Sequence, residues 1–192
     1  MELKTETFIT MNNLILFFGF KSVKTQKIQE QPITGTAIVY MSKHGTTNKV
    51  ALLIKELLVE EDVTLINLDQ QTIPDLSQCT RIIIGGSIHI GMIQKKIKLF
   101  CTQSQALLKS KQLGLFLCCM YEGDKATEQF NNAFPEEIRA AAKSKALMGY
   151  ELQFDRMNLI DRTITKKITG YSKFRSQINQ DELNRFVREL KQ

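Results

Sequence analysis

The 192 residues (22.0 kDa) are 43% hydrophobic and 24% charged, enough for one domain with a substantial core and too apolar for a wholly disordered chain. Ten glycines, three prolines and four cysteines exclude collagen and disulfide-scaffold compositions. The longest apolar run, from Leu14 to Phe20, falls far short of the ~20 residues that span a bilayer, so a soluble globular protein is expected. The net charge of +6 is unevenly spread: residues 51–92 sum to −4, 93–150 to +4 and 151–192 to +3. Such a basic half either steers an acidic partner or is simply a solvated surface.

Residues 1–35 read as an N-terminal extension, with an apolar patch at Leu14, Ile15, Leu16, Phe17 and Phe18 and no chemistry of their own. No A-x-A-like cleavage site follows that patch. From residue 36 short apolar strands alternate with amphipathic helices. Residues 36–41 (TAIVYM) form the first strand, and Val50, Leu53, Ile54, Leu57 and Leu58 mark a helix stripe. Strands follow at 63–68, 81–86, 113–120 and 145–154. Helices are predicted from Ile93 to Leu108, from Lys125 to Lys143 with a break at Pro135, and over about 156–170. Asn179 and Glu182 resemble a capping box that opens a last helix striped by Leu183, Phe186, Val187 and Leu190. Strands apolar on both faces between amphipathic helices mean an α/β domain, residues 36–192, around a parallel sheet.

Cys79, Cys101, Cys118 and Cys119 include no CxxC pair, and only His44 and His89 could join them, so no metal site is expected. They read as reduced thiols of a cytoplasmic protein.

In a doubly wound sheet ligands bind beyond the carboxyl ends of the strands, where strand order reverses. Three loops would sit there: 42–47, 87–92 and 120–125. The first, Ser42-Lys43-His44-Gly45-Thr46-Thr47, joins strand to helix. Its backbone N–H groups, helix dipole and three hydroxyls make an anion site, unless those hydroxyls serve only as helix caps. A GxxxxGK motif and a G-x-G-x-x-G fingerprint are both absent. A phosphorylatable receiver would need acids at the ends of strands one and three, where Met41 and Gly86 stand.

The stretch AIVYMSKHGTTNKVA resembles the phosphate loop of the flavodoxin family, S/T-x-x-G-x-T/S between strand one and helix one. IIIGGSIHIGMIQKKIKLF is similar to the menaquinone-dependent protoporphyrinogen oxidase branch of flavodoxin-like proteins, as is the tail ALMGYELQFDRMNLIDRTITKKITG. The resemblance covers about residues 36–192 and implies a five-stranded parallel sheet in order 2-1-3-4-5 with helices on both faces. It also implies FMN, its phosphate at Ser42, Lys43, His44, Gly45, Thr46 and Thr47. The isoalloxazine would lie between Ser87, Ile88, His89, Ile90 and Gly91 on one side and Cys119, Met120, Tyr121 and Gly123 on the other. Gly91 is the candidate for a peptide that changes partner near N5 on reduction, and Tyr121 or His89 could stack on the ring. With no Trp in the chain, Ile88, His89 or Ile90 would replace the tryptophan that stacks in many flavodoxins. The +6 charge also departs from the acidic flavodoxins and their docking to basic partners.

Two function classes follow. One is an FMN oxidoreductase that takes electrons from a small-molecule substrate such as a porphyrinogen and passes them to a quinone. The other is a carrier between redox proteins; no nucleic-acid partner is expected. Residues 156–175 hold Arg156, Arg162, Lys166, Lys167, Lys173 and Arg175, with an apolar stripe of Met157, Ile160, Ile164, Ile168 and Tyr171. Such a helix either lies on an anionic membrane, at its inner face, or packs on the sheet with a wet basic side.

Overall fold

The computed structural model describes residues 9–11, 14–16, 26–27, 32–59 and 61–192. The chain divides into two units, Met1–Gln31 and Pro32–Gln192. In the first, strand Leu14–Leu16 pairs antiparallel with Ile9–Met11 and with Gln26–Lys27. Phe17 and Phe18 of the apolar patch lie outside the described residues.

The second unit is built on five parallel strands: β1 (Gly35–Tyr40), β2 (Val63–Asn67), β3 (Cys79–His89), β4 (Gln112–Cys118) and β5 (Ser144–Leu147). Their spatial order is 2-1-3-4-5, as the resemblance implies. A short strand, Met92–Ile93, folds back antiparallel on the end of β3.

Side-chain alternation along the strands builds two cores. Ala37, Val39, Ile82, Ile84, Leu113, Leu115 and Leu117 face one way, against α2 (Lys95–Gln103), α3 (Gln105–Lys109), α4 (Gly123–Ala133) and α5 (Glu136–Ala141). Ile38, Tyr40, Ile83, Phe116 and Ala146 face the other, against α1 (Thr46–Leu57) and α7 (Gln180–Lys191). Asn179 caps α7 by accepting from Glu182 N at 3.0 Å, but the Glu182 carboxylate turns to Arg185. The expected capping box is therefore half formed.

Two expectations need correction. The predicted strand 145–154 is broken: after β5 the chain bends at Gly149 (φ 73) and continues as β6 (Gly149–Leu152), antiparallel to β7 (Arg175–Ile178). A Cβ at Gly149 would stand 1.9 Å from Gln177 O, so the bend needs glycine both for its φ and for space. The predicted helix 156–170 is also shorter. A 3-10 turn, Phe154–Arg156, precedes α6 (Leu159–Thr169), whose start is fixed by Asn158 accepting from Asp161 N at 2.8 Å.

One close approach lies between the middle strands. The Phe116 ring fills the place of a side chain at Gly85, where a Cβ would lie 1.9 Å from Phe116 Cζ, and Phe116 packs edge-on to Phe186. Gly85→Ala is expected to lower the unfolding free energy by about 1–3 kcal/mol through overpacking. Urea denaturation should then show Gly85→Ala and Phe116→Leu losing less together than the sum of their separate losses.

Candidate functional site

The chain leaves β1 at Tyr40, runs through Met41–His44 and enters α1 with Gly45 as its N-cap residue, φ 104. No side chain caps α1, so the positive end of its dipole and its first N–H groups open toward the carboxyl edge of the sheet. Ser42 Oγ and Thr47 Oγ1 are buried beside that opening with no partner in full hydrogen-bond geometry; the Cys118 thiol is the group that Thr47 lies against. Thr46 differs: its hydroxyl donates to Glu151 O at 2.8 Å and is occupied in tying α1 to β6. Lys49 pairs with the buried Glu151 carboxylate and reinforces the same tie.

Lys43 and His44 turn toward α6. Lys43 Nζ lies 2.7 Å and His44 Nε2 3.1 Å from the same oxygen of Asp161. The Lys43 hydrogen bond holds the Asp161 carboxyl below its ordinary range. Burial lowers the His44 pKa more than Asp161 raises it, so the imidazole is neutral at pH 7 and its Nε2–H donates to Asp161.

At the end of β3 the backbone turns within two residues. Ile90 (φ 50) and Gly91 (φ 78) form the tip between His89 and its partner Met92, with the paired positive φ values of a type I′ hairpin. Ile90 is 85% and Met92 70% exposed, so a β-branched side chain is held in a strained conformation at the rim. Gln94 anchors the base of this hairpin: it accepts from Ser87 N (3.0 Å) and donates to Ser87 Oγ (2.7 Å) and to Met41 O (3.3 Å). It thus locks the ends of β1 and β3 together, a role nothing in the sequence pattern marked. His89 Nε2 stands 3.2 Å from Ser87 Oγ, and its ring meets that of His44 edge-on at 5.4 Å. Burial lowers the His89 pKa, and His44 adds to the effect.

The third loop leaves β4 at Cys119, whose N–H donates to Gly149 O at 3.0 Å. Met120 and Tyr121 follow, both partly exposed, with Lys125 Nζ 5.7 Å from the Tyr121 ring centre.

The three loops surround one cleft of about 210 Å³. Ser42, His44, Thr46, Thr47, Ser87, Ile88, His89, Ile90, Gly91, Cys119, Met120 and Tyr121 line it. Lys43, Gly45 and Gly123 do not: Lys43 points to Asp161, and a Cβ on Gly123 would meet nothing. The far wall is new. Gln129 of α4, Tyr150 and Leu152 of β6, Met157, and Asp161, Ile164 and Thr165 of α6 complete the enclosure. The bend at Gly149 carries the chain through β6 to α6, so no local pattern reveals that Tyr150, Leu152, Met157, Asp161, Ile164 and Thr165 face the 42–47 loop across one cleft.

Three loops at the carboxyl ends of β1, β3 and β4, in a 2-1-3-4-5 sheet, agree with the comparison of sequences. A family model described as a flavodoxin domain matches residues 37–178. The chain belongs to the flavodoxin domain family. Its fold is similar to that of a short-chain flavodoxin associated with a non-canonical PDU bacterial microcompartment, at 16% identity and TM-score 0.51, over 82% of this chain and 97% of that one. An oxidised flavodoxin of Bacillus cereus matches at 15% identity and TM-score 0.46, over 81% and 96% of the two chains. The flavodiiron core of Synechocystis sp. matches at 20% identity and TM-score 0.43, over 63% of this chain but only 30% of that longer one. No curated protein sequence matches. Among the described residues no helix of this flavodoxin-domain chain is long and apolar enough to cross a membrane.

The Asp161 latch yields a test. Because folded Asp161 titrates below its ordinary value of about 3.9, its contribution is fully present above that value and is lost as pH falls through the depressed one. Hydrogen exchange of the α6 amides should be faster in Asp161→Asn at pH 7, and in the parent only below pH ~3.9. Global stability should change by less than about 1 kcal/mol, as for other solvent-accessible pairs.

Proposed function

We propose that the protein binds FMN and works as an oxidoreductase on a small organic substrate. The observation that carries the reading is the pair of buried, unpartnered hydroxyls, Ser42 Oγ and Thr47 Oγ1, beside the uncapped start of α1. A buried polar atom without a partner costs about 1–3 kcal/mol, and a phosphate monoester supplies acceptors for both hydroxyls and for the helix N–H groups. The residues fit the phosphate end of FMN. Ser42, Thr47 and the backbone of 43–47 would hold it, with Lys43 and His44 already committed to Asp161 and Thr46 to Glu151. The ring side would be formed by Ser87–Gly91 and Cys119–Tyr121, where the cleft is mainly apolar. When bound, FMN supplies one- and two-electron redox chemistry.

The cleft runs past the three loops to β6 and α6, which favours a small-molecule substrate over a bare electron carrier. We take the substrate to be a protoporphyrinogen-type compound and the acceptor a quinone, on the strength of the motifs at 82–100 and 146–170. The polar residues of this chain would orient the substrate, and no side chain is assigned a proton. α6 supports the quinone side of this reading. None of its described side chains is buried, Leu159 and Ile160 are 79% and 70% exposed, and Arg162, Lys166 and Lys167 are exposed beside them. The helix therefore does not pack on the sheet, and its apolar and basic groups suit an anionic bilayer. The Ile168 side chain lies outside the described residues.

Two experiments test these readings. Thr47→Ala should weaken FMN binding by about 1.5–3 kcal/mol, the worth of a hydrogen bond to a charged group. It should leave riboflavin, which has no phosphate, unaffected in the same fluorescence titration. Replacing Lys166 and Lys167 with glutamine, and leaving Arg162 bonded to Phe154 O, should lower affinity for anionic vesicles by about 1 kcal/mol per charge, and less as salt shortens the Debye length from ~8–10 Å. Flavin content should not change. If vesicle binding is unaltered at every salt concentration while electron exchange with a soluble redox protein is lost, α6 is a protein-docking surface and the carrier reading replaces the oxidase.

A further inference from the structure

Among the described residues four buried side-chain polar atoms lack a hydrogen-bond partner: Ser42 Oγ, Thr47 Oγ1, Gln129 Oε1 and Arg175 Nε. Three of the four line the same cleft, and Arg175 does not. Two of those three sit at its phosphate end. The third, Gln129, lies on the second turn of α4, the helix that follows the Cys119–Glu122 loop and packs against the Met92–Ile93 strand. It lines the cleft from a helix rather than from either of the loops 87–91 and 119–121.

A glutamine carbonyl oxygen shut away from water is unfavourable unless a donor arrives, and native structures retain few such atoms. Oxidised isoalloxazine carries a single ring N–H, at N3, flanked by the carbonyls at C2 and C4. That edge presents acceptor, donor, acceptor in a row. A carboxamide is complementary to two adjacent members of the row: its oxygen accepts from N3–H while its NH₂ donates to one neighbouring carbonyl. Turning the amide over still leaves a matched donor and acceptor. We infer that Gln129 is a positioning residue that reads the pyrimidine edge of the flavin ring through this two-point contact. The inference rests on the FMN reading and deepens it, adding ring recognition from α4 to phosphate recognition at α1.

The two ends of the cleft then make separable contributions. Phosphate recognition by Ser42 and Thr47 distinguishes FMN from riboflavin. Ring recognition by Gln129 treats the two alike, and fails for any flavin that has lost the N3–H. Gln129→Met keeps the length and shape of the side chain while removing both the donor and the acceptor. Without ligand it also removes an unsatisfied buried atom, so the variant is expected to be no less stable than the parent.

The test is a fluorescence titration of the full-length parent and Gln129→Met with FMN, riboflavin and N3-methylriboflavin, with thermal melting of both ligand-free proteins. Gln129→Met should lower affinity for FMN and for riboflavin by the same factor, about tenfold for two neutral hydrogen bonds. Methylation at N3 should cost the parent a comparable factor and cost the variant almost nothing further, because the contact is already gone. Equal flavin affinity in parent and variant overturns the role given to Gln129. So does an N3-methyl penalty of the same size in both proteins. A lower melting temperature for the ligand-free variant would make Gln129 a structural residue and also overturn it. Absence of any flavin binding by the parent removes the FMN reading itself, a result distinct from the other three.

Discussion

The start of α1 governs the rest of the cleft. Gly45 in the left-handed region turns the chain from β1 into a helix whose first turn has no side-chain cap. A helix end of this kind keeps its N–H groups and its partial positive charge available only if neighbouring hydroxyls do not cap it. Thr46 is drawn away by Glu151 O, and Ser42 and Thr47 are buried with no partner, so the helix end stays open. The tie from Thr46 and Lys49 to β6 fixes the angle at which the loop meets the far wall. A substituent at Gly45 would meet the Arg156 guanidinium at 2.7 Å, so the neighbouring segment also closes tightly over this turn.

Electrostatics around this opening favour a site that is positive without exposing much unpaired charge. Lys43 and His44 meet one Asp161 oxygen, which binds the loop to α6. α6 buries none of its described side chains, and among the described residues this latch and the Arg162 bond to Phe154 O (3.0 Å) are the polar side-chain ties from the helix to its neighbours. An element held mainly by polar contacts opens at a smaller free-energy cost than one packed in the core. The residues nearest the mouth of the cleft are therefore also among the easiest to move.

The opposite side of the cleft is rigid by contrast. Gln94 joins Ser87 to Met41 across two strands, and Ile93 packs over Gly86 where a Cβ would clash at 2.6 Å. Strain is confined to the tip at Ile90, whose side chain projects into water. A two-residue turn with both φ values positive normally selects Asn or Gly. An isoleucine there, beside a glycine free of neighbours, presents apolar surface at the rim of the cleft.

The strands and both helix layers were legible in the sequence from local periods, apolar runs for β1, β3 and β4 and i, i+3, i+4 stripes for α1 and α7, whereas the strand order came only from the resemblance. The three loops were legible because a parallel sheet places every strand end on the same edge. The break in the 145–154 strand was not, since the apolar pattern continues through it. The bend depends on Gly149 meeting the backbone of Gln177, 28 residues away. Still longer separations, of more than a hundred residues, hid the ties of Asp161 to Lys43 and of Glu151 to Thr46. The pattern 42–47 showed which groups could bind an anion, but not which were already engaged. Only the folded chain decided that Thr46, Lys43 and His44 have protein partners while Ser42 and Thr47 have none, because hydrogen-bond satisfaction depends on residues more than a hundred positions apart.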